Sequence, residues 1–271
     1  MPQMKSSTVT FELRGRIAFV GLNRPEKRNA INEELLVALA GAVREANDSA
    51  DVAVIFGHGP NFSAGLDLSE ALARAEDHGS SDRKRIKHAW HEIFDDIARG
   101  PIPWVAALHG AVVGGGLELA TAAHLRVGDE TAFFALPEGR RGIFVGGGGS
   151  VRIQRVIGYS AMADLMLTGR SLDAREGERE KILRYVVPKG EALQKAEELA
   201  GVIATNTPET NWRIVNVLPR VNDLSHDDGL FLEYLANSMR RPQASTDRLR
   251  EFVEGRAKPL ANASLTAGKT P

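Results

Sequence analysis

The segment Val112-Val-Gly-Gly-Gly-Leu-Glu-Leu-Ala120 constrains this chain more than any other stretch. Glycine is costly inside a helix or strand, so consecutive glycines mark a turn with bare backbone. Trp104–Leu108 reads as the buried strand that leads into this turn. Leu117–Ala123, apolar almost all round, reads as the short buried helix that leaves it. Such a turn lets main chain approach a ligand closely, and N–H groups at a helix start attract negative charge. Glu118 sets a carboxylate beside them. Bare donors next to a carboxylate suit the activation of a carbonyl, provided the rest of the chain supplies a substrate site and a second acid–base group.

The surrounding pattern alternates strand and helix. Thr8–Leu13 and Ile17–Leu22 read as a hairpin around Arg14-Gly15-Arg16. Asn32 caps a helix with Leu35, Leu36, Leu39, Ala42 and Val43 on one face. Val52–Phe56 is a short buried strand, followed by a Gly-, Pro- and Asn-rich loop over Gly57–Gly65. Asp82–Ala98 has a helical period, with Ile86, Trp90, Ile93, Phe94 and Ile97 on one side. Leu125–Val127 and Ala132–Phe134 read as strands ahead of Leu136-Pro-Glu-Gly139. A second glycine run, Gly146–Gly149, precedes a helix near Ser150–Ile157. From about Ala192 the chain reads as successive helices with breaks at Pro208, Pro219 and Pro242. The expectation is an α/β core over residues 1–195, a helical region over 196–258 and a loose tail over 259–271.

Composition removes several function classes. A net charge of −1 gives no global attraction to nucleic acid or to an anionic membrane. The absence of cysteine excludes disulfides, thiolate zinc sites and a cysteine nucleophile. No apolar run approaches the roughly 20 residues that span a bilayer, and Met1–Ser7 lacks a signal-peptide core, so a cytoplasmic setting is expected.

Specific motifs narrow the field further. A dinucleotide fingerprint needs a third glycine where Leu119 stands, and neither glycine run continues into the Gly-Lys-Ser/Thr of a P-loop. His91-Glu-Ile-Phe-Asp95 misses the zinc pattern H-E-x-x-H by one ligand, so it reads as the polar face of a helix and no metal site is expected. Glu118 and Glu138 each sit at a Gly- or Pro-marked turn with apolar neighbours. Carboxylates in such surroundings hold protons near neutral pH. On position alone, each is equally an ordinary cap or surface glutamate.

Three segments decide between those readings: Asn61-Phe-Ser-Ala-Gly-Leu-Asp-Leu68, Gly110–Ala120 and Leu136-Pro-Glu-Gly139. In this order and spacing the chain resembles the crotonase (enoyl-CoA hydratase/isomerase) superfamily. Leu22–Ala30 and Phe252–Arg256 extend the resemblance over nearly the whole chain. It implies a crotonase-like β-β-α spiral core with a C-terminal helical trimerisation region, and a homotrimer or dimer of trimers. It implies an acyl-CoA substrate, with no cofactor beyond the coenzyme A that the substrate carries. It places the backbone N–H groups of Ala64 and Gly115 in an oxyanion hole. Glu118 and Glu138 match the two glutamates with which the hydratase branch grips water and hydrates a 2-enoyl-CoA. Lys27, Arg28, Ala30, Ala64, Asp67 and Leu68 are expected along the CoA, and Leu72, Phe133 and Phe144 around the acyl group. Enoyl-CoA isomerase, hydrolase and retro-aldol lyase chemistry on the same oxyanion hole are the alternatives, followed by a non-catalytic RNA-binding or scaffold homologue. The loop after Glu138, with Arg140-Arg141 and Phe144-Val-Gly-Gly-Gly-Gly149, departs from the hydratase Ile-Pro-Gly pattern, which points to an unusual acyl group.

Overall fold

The computed structural model describes residues 8–76, 82–239 and 243–256. Met1–Ser7, Pro242 and the expected tail over 259–271 lie outside the described residues, as do the side chains of residues 82–88, Ile86 among them. The chain forms two compact units, Met1–Pro219 and Arg220–Pro271.

The first unit is built on two sheets. A six-stranded sheet has the order β1 (Val9–Arg14), β2 (Ile17–Leu22), β3 (Val52–Gly57), β4 (Trp104–Leu108), β6 (Leu125–Asp129) and β9 (Tyr185–Val187). Only β1 and β2 pair antiparallel, through the expected hairpin, whose Gly15 takes the positive φ of 61° that a tight turn requires. A smaller sheet has the order β5 (Ala111–Val113), β7 (Phe133–Ala135) and β8 (Ser171–Leu172). Ser63 forms a bridge to Val112, so the loop after β3 touches the small sheet as well.

The chain therefore repeats one movement. A strand of the large sheet is followed by a short extended segment at the small sheet, and then by helix. β4 and β5 lead to α4 (Gly115–Ala120), and β6 and β7 lead to α5 (Gly149–Thr168). β3 and the Ser63 bridge lead to α2 (Leu68–Glu76) and α3 (Asp82–Ala98). The loops that follow β5, β7 and the Ser63 bridge, which run parallel, thus emerge at the same end of the small sheet.

Side-chain alternation explains how the large sheet is covered. Ala18, Val20, Leu22, Ala53, Ile55, Trp104, Ala106 and Leu108 are buried in one core with α1 (Glu33–Ser49). The α1 face is the one read from its periodicity, Leu35, Leu36, Leu39, Ala42 and Val43, and Asn32 caps it through Leu35 N at 3.0 Å. The intervening residues Phe19, Val52, Val54, Val105, Ala107 and Val127 form a second core with α7 (Ala192–Ile203). The short strands β8 and β9 and the helix α6 (Ala174–Arg179) were not read from the sequence. β8 and β9 are two and three residues long, and α6 carries a single apolar side chain, Ala174, among charged residues, so no period registers. Pro208 opens α8 (Pro208–Val221), so the break read there separates α7 from α8, whereas Pro219 lies inside α8 and does not end it. The second unit carries α9 (His226–Ser238) and α10 (Gln243–Val253).

One buried group makes the stability of the first unit pH-sensitive. His124 Nδ1 accepts the Trp104 N–H at 3.0 Å, and its Nε2 is buried. Burial pulls the imidazole down from 6.5 to about 4, helped by the nearby Arg126 charge and opposed by the Ala98 backbone. The unfolded chain binds this proton below about pH 6.5 and the folded chain does not until about pH 4, so stability is full above that window and lost across it. The expected loss is about 3 kcal/mol between the two values. Urea unfolding at pH 7.5 and pH 5 should show about 2 kcal/mol of it, because pH 5 stops short of the folded-state value. His124→Asn, which keeps an acceptor for Trp104, should flatten the difference, and an unchanged pH slope in that variant would refute the assignment.

Candidate active site

The glycine turn does what its composition requires. Gly114 has φ 54° and ψ −120°, a conformation open to glycine, and a Cβ there would lie 2.6 Å from Glu138 Oε1. Gly115 opens α4, so its N–H has no partner inside the helix. Trp90 of α3 lies against it: a Cβ on Gly115 would meet the indole ring at 2.6 Å.

The opposing wall is the loop before α2. Fully buried Asn29 holds it, donating through Nδ2 to His58 O at 2.9 Å and Asn61 O at 2.7 Å. Ser63 Oγ donates to Asn29 O at 2.8 Å and accepts from Gly65 N at 3.1 Å. Sequence reading missed both residues, because a buried amide and hydroxyl inside a polar loop look like solvated turn residues. The loop geometry also corrects one expectation. Ala64 N–H donates to Arg28 O at 2.9 Å and Ala64 does not line the cavity, so its donor is not available to a ligand. The available donor is Leu66 N–H, which has no partner among the described residues and lies 3.6 Å from the position of a Cβ on Gly115. Ala64 is instead the residue that ties this loop to Arg28. The two bare N–H groups beside one another are those of Leu66 and Gly115.

Both glutamates are buried, at 3 % exposure for Glu118 and 6 % for Glu138, and both line one cavity of about 680 Å³. Their surroundings differ. Glu118 accepts three backbone N–H bonds from the second glycine run, Gly146 at 3.3 Å, Gly147 at 2.7 Å and Gly149 at 2.8 Å. That run, read from sequence as the lead into a helix, is a clamp on a carboxylate. Glu138 leaves Oε2 buried without a partner. Burial pushes its carboxyl above the usual carboxylate range, reinforced by the Glu118 charge and opposed by its own backbone N–H and by Arg141. Two carboxyl groups that share a cavity, one clamped by donors and one driven toward its protonated form, can divide the work of a base and an acid.

This arrangement can be set beside known proteins. Residues 12–226 match the family model described as enoyl-CoA hydratase/isomerase. The chain belongs to the enoyl-CoA hydratase/isomerase family. Members similar to it include a Thermus thermophilus protein provisionally named enoyl-CoA hydratase, 35% identical over 246 residues that cover 90% of this chain and 96% of the relative. A solved Rhodopseudomonas palustris structure, also provisionally named enoyl-CoA hydratase, is 43% identical, covers 92% of this chain and 96% of its own, and superposes with a TM-score of 0.85. The enoyl-CoA hydratase structure from Bacillus anthracis is 28% identical, covers 92% and 97% respectively, and has a TM-score of 0.83. The β-β-α core with a C-terminal helical region is thus the crotonase fold of the enoyl-CoA hydratase/isomerase family.

Within this family member the remaining expected residues divide. Lys27 and Arg28 are exposed beside the site loop, Arg28 with a positive φ of 53°. Asp67 is paired with Arg24 at 3.1 Å, and the same guanidinium donates to Ala30 O at 2.6 Å. Asp67 and Ala30 therefore brace the loop through Arg24, a residue sequence reading had not singled out. Leu68 starts α2 and is 43% exposed. Of the three acyl-pocket candidates, Phe144 lines the cavity, together with Ile143 and Val145 of the same loop. Leu72 and Phe133 are exposed and do not line it; Phe133 lies on the outward-facing position of β7. Ala71, the residue before Leu72, lines the cavity instead, and Trp90 supplies the aromatic wall. Among the described residues no helix is long and apolar enough to cross a membrane.

Proposed function

We propose that this protein is an enoyl-CoA hydratase that adds water reversibly to a 2-enoyl-CoA. The observation that carries the reading is the convergence of Glu118, Glu138 and the free N–H groups of Leu66 and Gly115 on one cavity. In this reading the thioester oxygen accepts from Leu66 and Gly115 as it gains enolate charge, and losing one such donor costs about 2.7–4 kcal/mol. Glu118, fixed by its three amides, orients and deprotonates the attacking water. Its oxygen adds to Cβ, and Glu138 delivers a proton to Cα. The net change is water added across one double bond, so the reaction calls for no redox partner and no cofactor beyond the CoA of the substrate. Lys27 and Arg28, both exposed, are the cations this reading assigns to the CoA phosphates. The active protein is read as a homotrimer or dimer of trimers, with an acyl-CoA as its small-molecule partner.

One observation favours a second reading. Glu118 is engaged on both oxygens, whereas Glu138 has a free one. A single carboxyl with a free oxygen is enough to shuttle a proton between Cα and Cγ, which is the chemistry of a Δ3,Δ2-enoyl-CoA isomerase. Product analysis separates the two. Crotonyl-CoA in H2-18O should yield 3-hydroxybutyryl-CoA carrying the label. Conversion of 3-enoyl-CoA to 2-enoyl-CoA without labelled hydroxyacyl product would replace hydration with isomerisation.

A further inference from the structure

The clamp on Glu118 raises a physical question. A run of four glycines has the least restricted backbone available and no preferred direction of its own. Its N–H groups nevertheless converge on one carboxylate, so contacts from outside the run must hold it. Trp90 and Phe94 pack on one side of Gly147, where a Cβ would meet the Phe94 ring at 2.8 Å. The polar restraint comes from Arg152, on the first turn of α5.

Arg152 is mostly buried, with 14% of its side chain exposed. Nη2 donates to the Gly147 carbonyl and Nη1 to Asp95 Oδ1 at 2.9 Å. The guanidinium carbon lies 6.0 Å from the centroid of Phe94. Gly148, with φ 86°, sits directly beneath the fork: a Cβ there would come 2.7 Å from both terminal nitrogens. The Gly147 carbonyl belongs to the peptide that joins Gly147 to Gly148, so holding it fixes the turn on which the Gly147 and Gly149 N–H groups depend. Arg152 and Glu118 also attract one another as charges. Asp95, which in sequence looked only like a failed zinc ligand, is the group that aims the guanidinium.

We infer that Arg152 is a positioning residue for Glu118: through the Gly147 carbonyl it sets the glycine run so that three N–H groups hold the carboxylate toward the cavity, with Asp95 orienting Arg152. This rests on reading Glu118 as a reacting carboxylate. Arginine suits the task because its planar fork serves a carbonyl and a carboxylate at once.

The test compares Arg152→Gln, Arg152→Lys, Asp95→Asn and, as a control on the exposed face of α5, Gln154→Ala. Two readouts are taken on each folded variant: kcat and KM with crotonyl-CoA, and amide hydrogen exchange across Gly146–Gly149. A small displacement of a reacting group costs about 10²-fold, so Arg152→Gln should lose about that factor in kcat. KM should stay within about twofold, since the lost interaction acts on the transition state. Exchange across the run should accelerate, Arg152→Lys should recover part of both effects, and Gln154→Ala should change neither. Unchanged exchange in Arg152→Gln overturns the inference, as does a loss expressed in KM alone. If Arg152→Gln does not fold, Asp95→Asn decides by the same exchange readout, with faster exchange supporting the inference and unchanged exchange overturning it. If the unsubstituted protein does not hydrate crotonyl-CoA, the proposed function fails, while the exchange measurement still decides whether Arg152 holds the clamp.

Discussion

Replacing Glu138 with Gln should lower kcat for crotonyl-CoA hydration by about 10²- to 10⁴-fold, the range that a positioned acid–base group supplies. The fold should be undisturbed. Gln has the same shape, and Glu138 Oε2 has no hydrogen-bond partner to lose. Thermal unfolding should stay close to that of the parent protein. The buried amide donor left without an acceptor is offset by removal of a buried charge that Glu118 opposes. This separates a chemical effect from a structural one. The loss arises because Gln cannot exchange the proton that Cα requires. Burial and the neighbouring Glu118 charge raise the Glu138 carboxyl above its ordinary value, against the opposing effects of its own backbone N–H and Arg141. As pH rises through that raised value the group ionises and stops acting as an acid, so hydration should decline on the alkaline side. That decline should vanish in the Glu138→Gln variant. Loss of enoyl-thioester absorbance gives the rates, and a rate close to the parent's would remove Glu138 from the mechanism.

Glu118→Gln should behave differently, although the substitution is chemically the same. The Glu118 carboxylate accepts on both oxygens from three main-chain donors. A Gln amide keeps one acceptor and turns an N–H2 group toward at least one of those donors. A buried donor left without an acceptor costs about 1–3 kcal/mol, so this variant should lose stability as well as activity. The kinetic loss should again reach about 10²-fold or more, because the base that activates water is gone. Urea unfolding and initial rates measured together provide the check. Stability equal to the parent's would mean that the glycine run does not grip this carboxylate in solution, and a parent-like rate would give the water-activating role to another group.

The contrast between the two glutamates shows where sequence reading stopped. Their presence at the site was legible: each follows a glycine- or proline-marked turn, and the spacing of three segments matched one family. Their division of labour was not. Gly146 lies far along the chain from Glu118, and no local pattern says that its N–H will meet that carboxylate. The same limit explains Ala64. A small residue before Gly65 looks suited to a bare donor, yet a single peptide's orientation decides which N–H is free, and Arg28 O takes the one from Ala64. Leu72 failed as an acyl-pocket residue for a related reason. A helix turns by about 100° per residue, so the neighbour Ala71 faces the cavity while Leu72 faces away.

The sequence by itself determined the family and most of the elements, though not β8, β9 or α6. Hydrophobic period placed α1 and the buried strands, and bare glycines placed the turn before α4, because those signals are local and act through backbone freedom and side-chain burial. Only the tertiary structure decided which donors stay free and which residues line the cavity. It alone brought Asp95, Arg152, Gly147 and Glu118 into one line. Hydrogen bonds are short and directional, and the partners here come from different passes of the chain. Their pairing exists only once the two sheets have stacked the loops at one end.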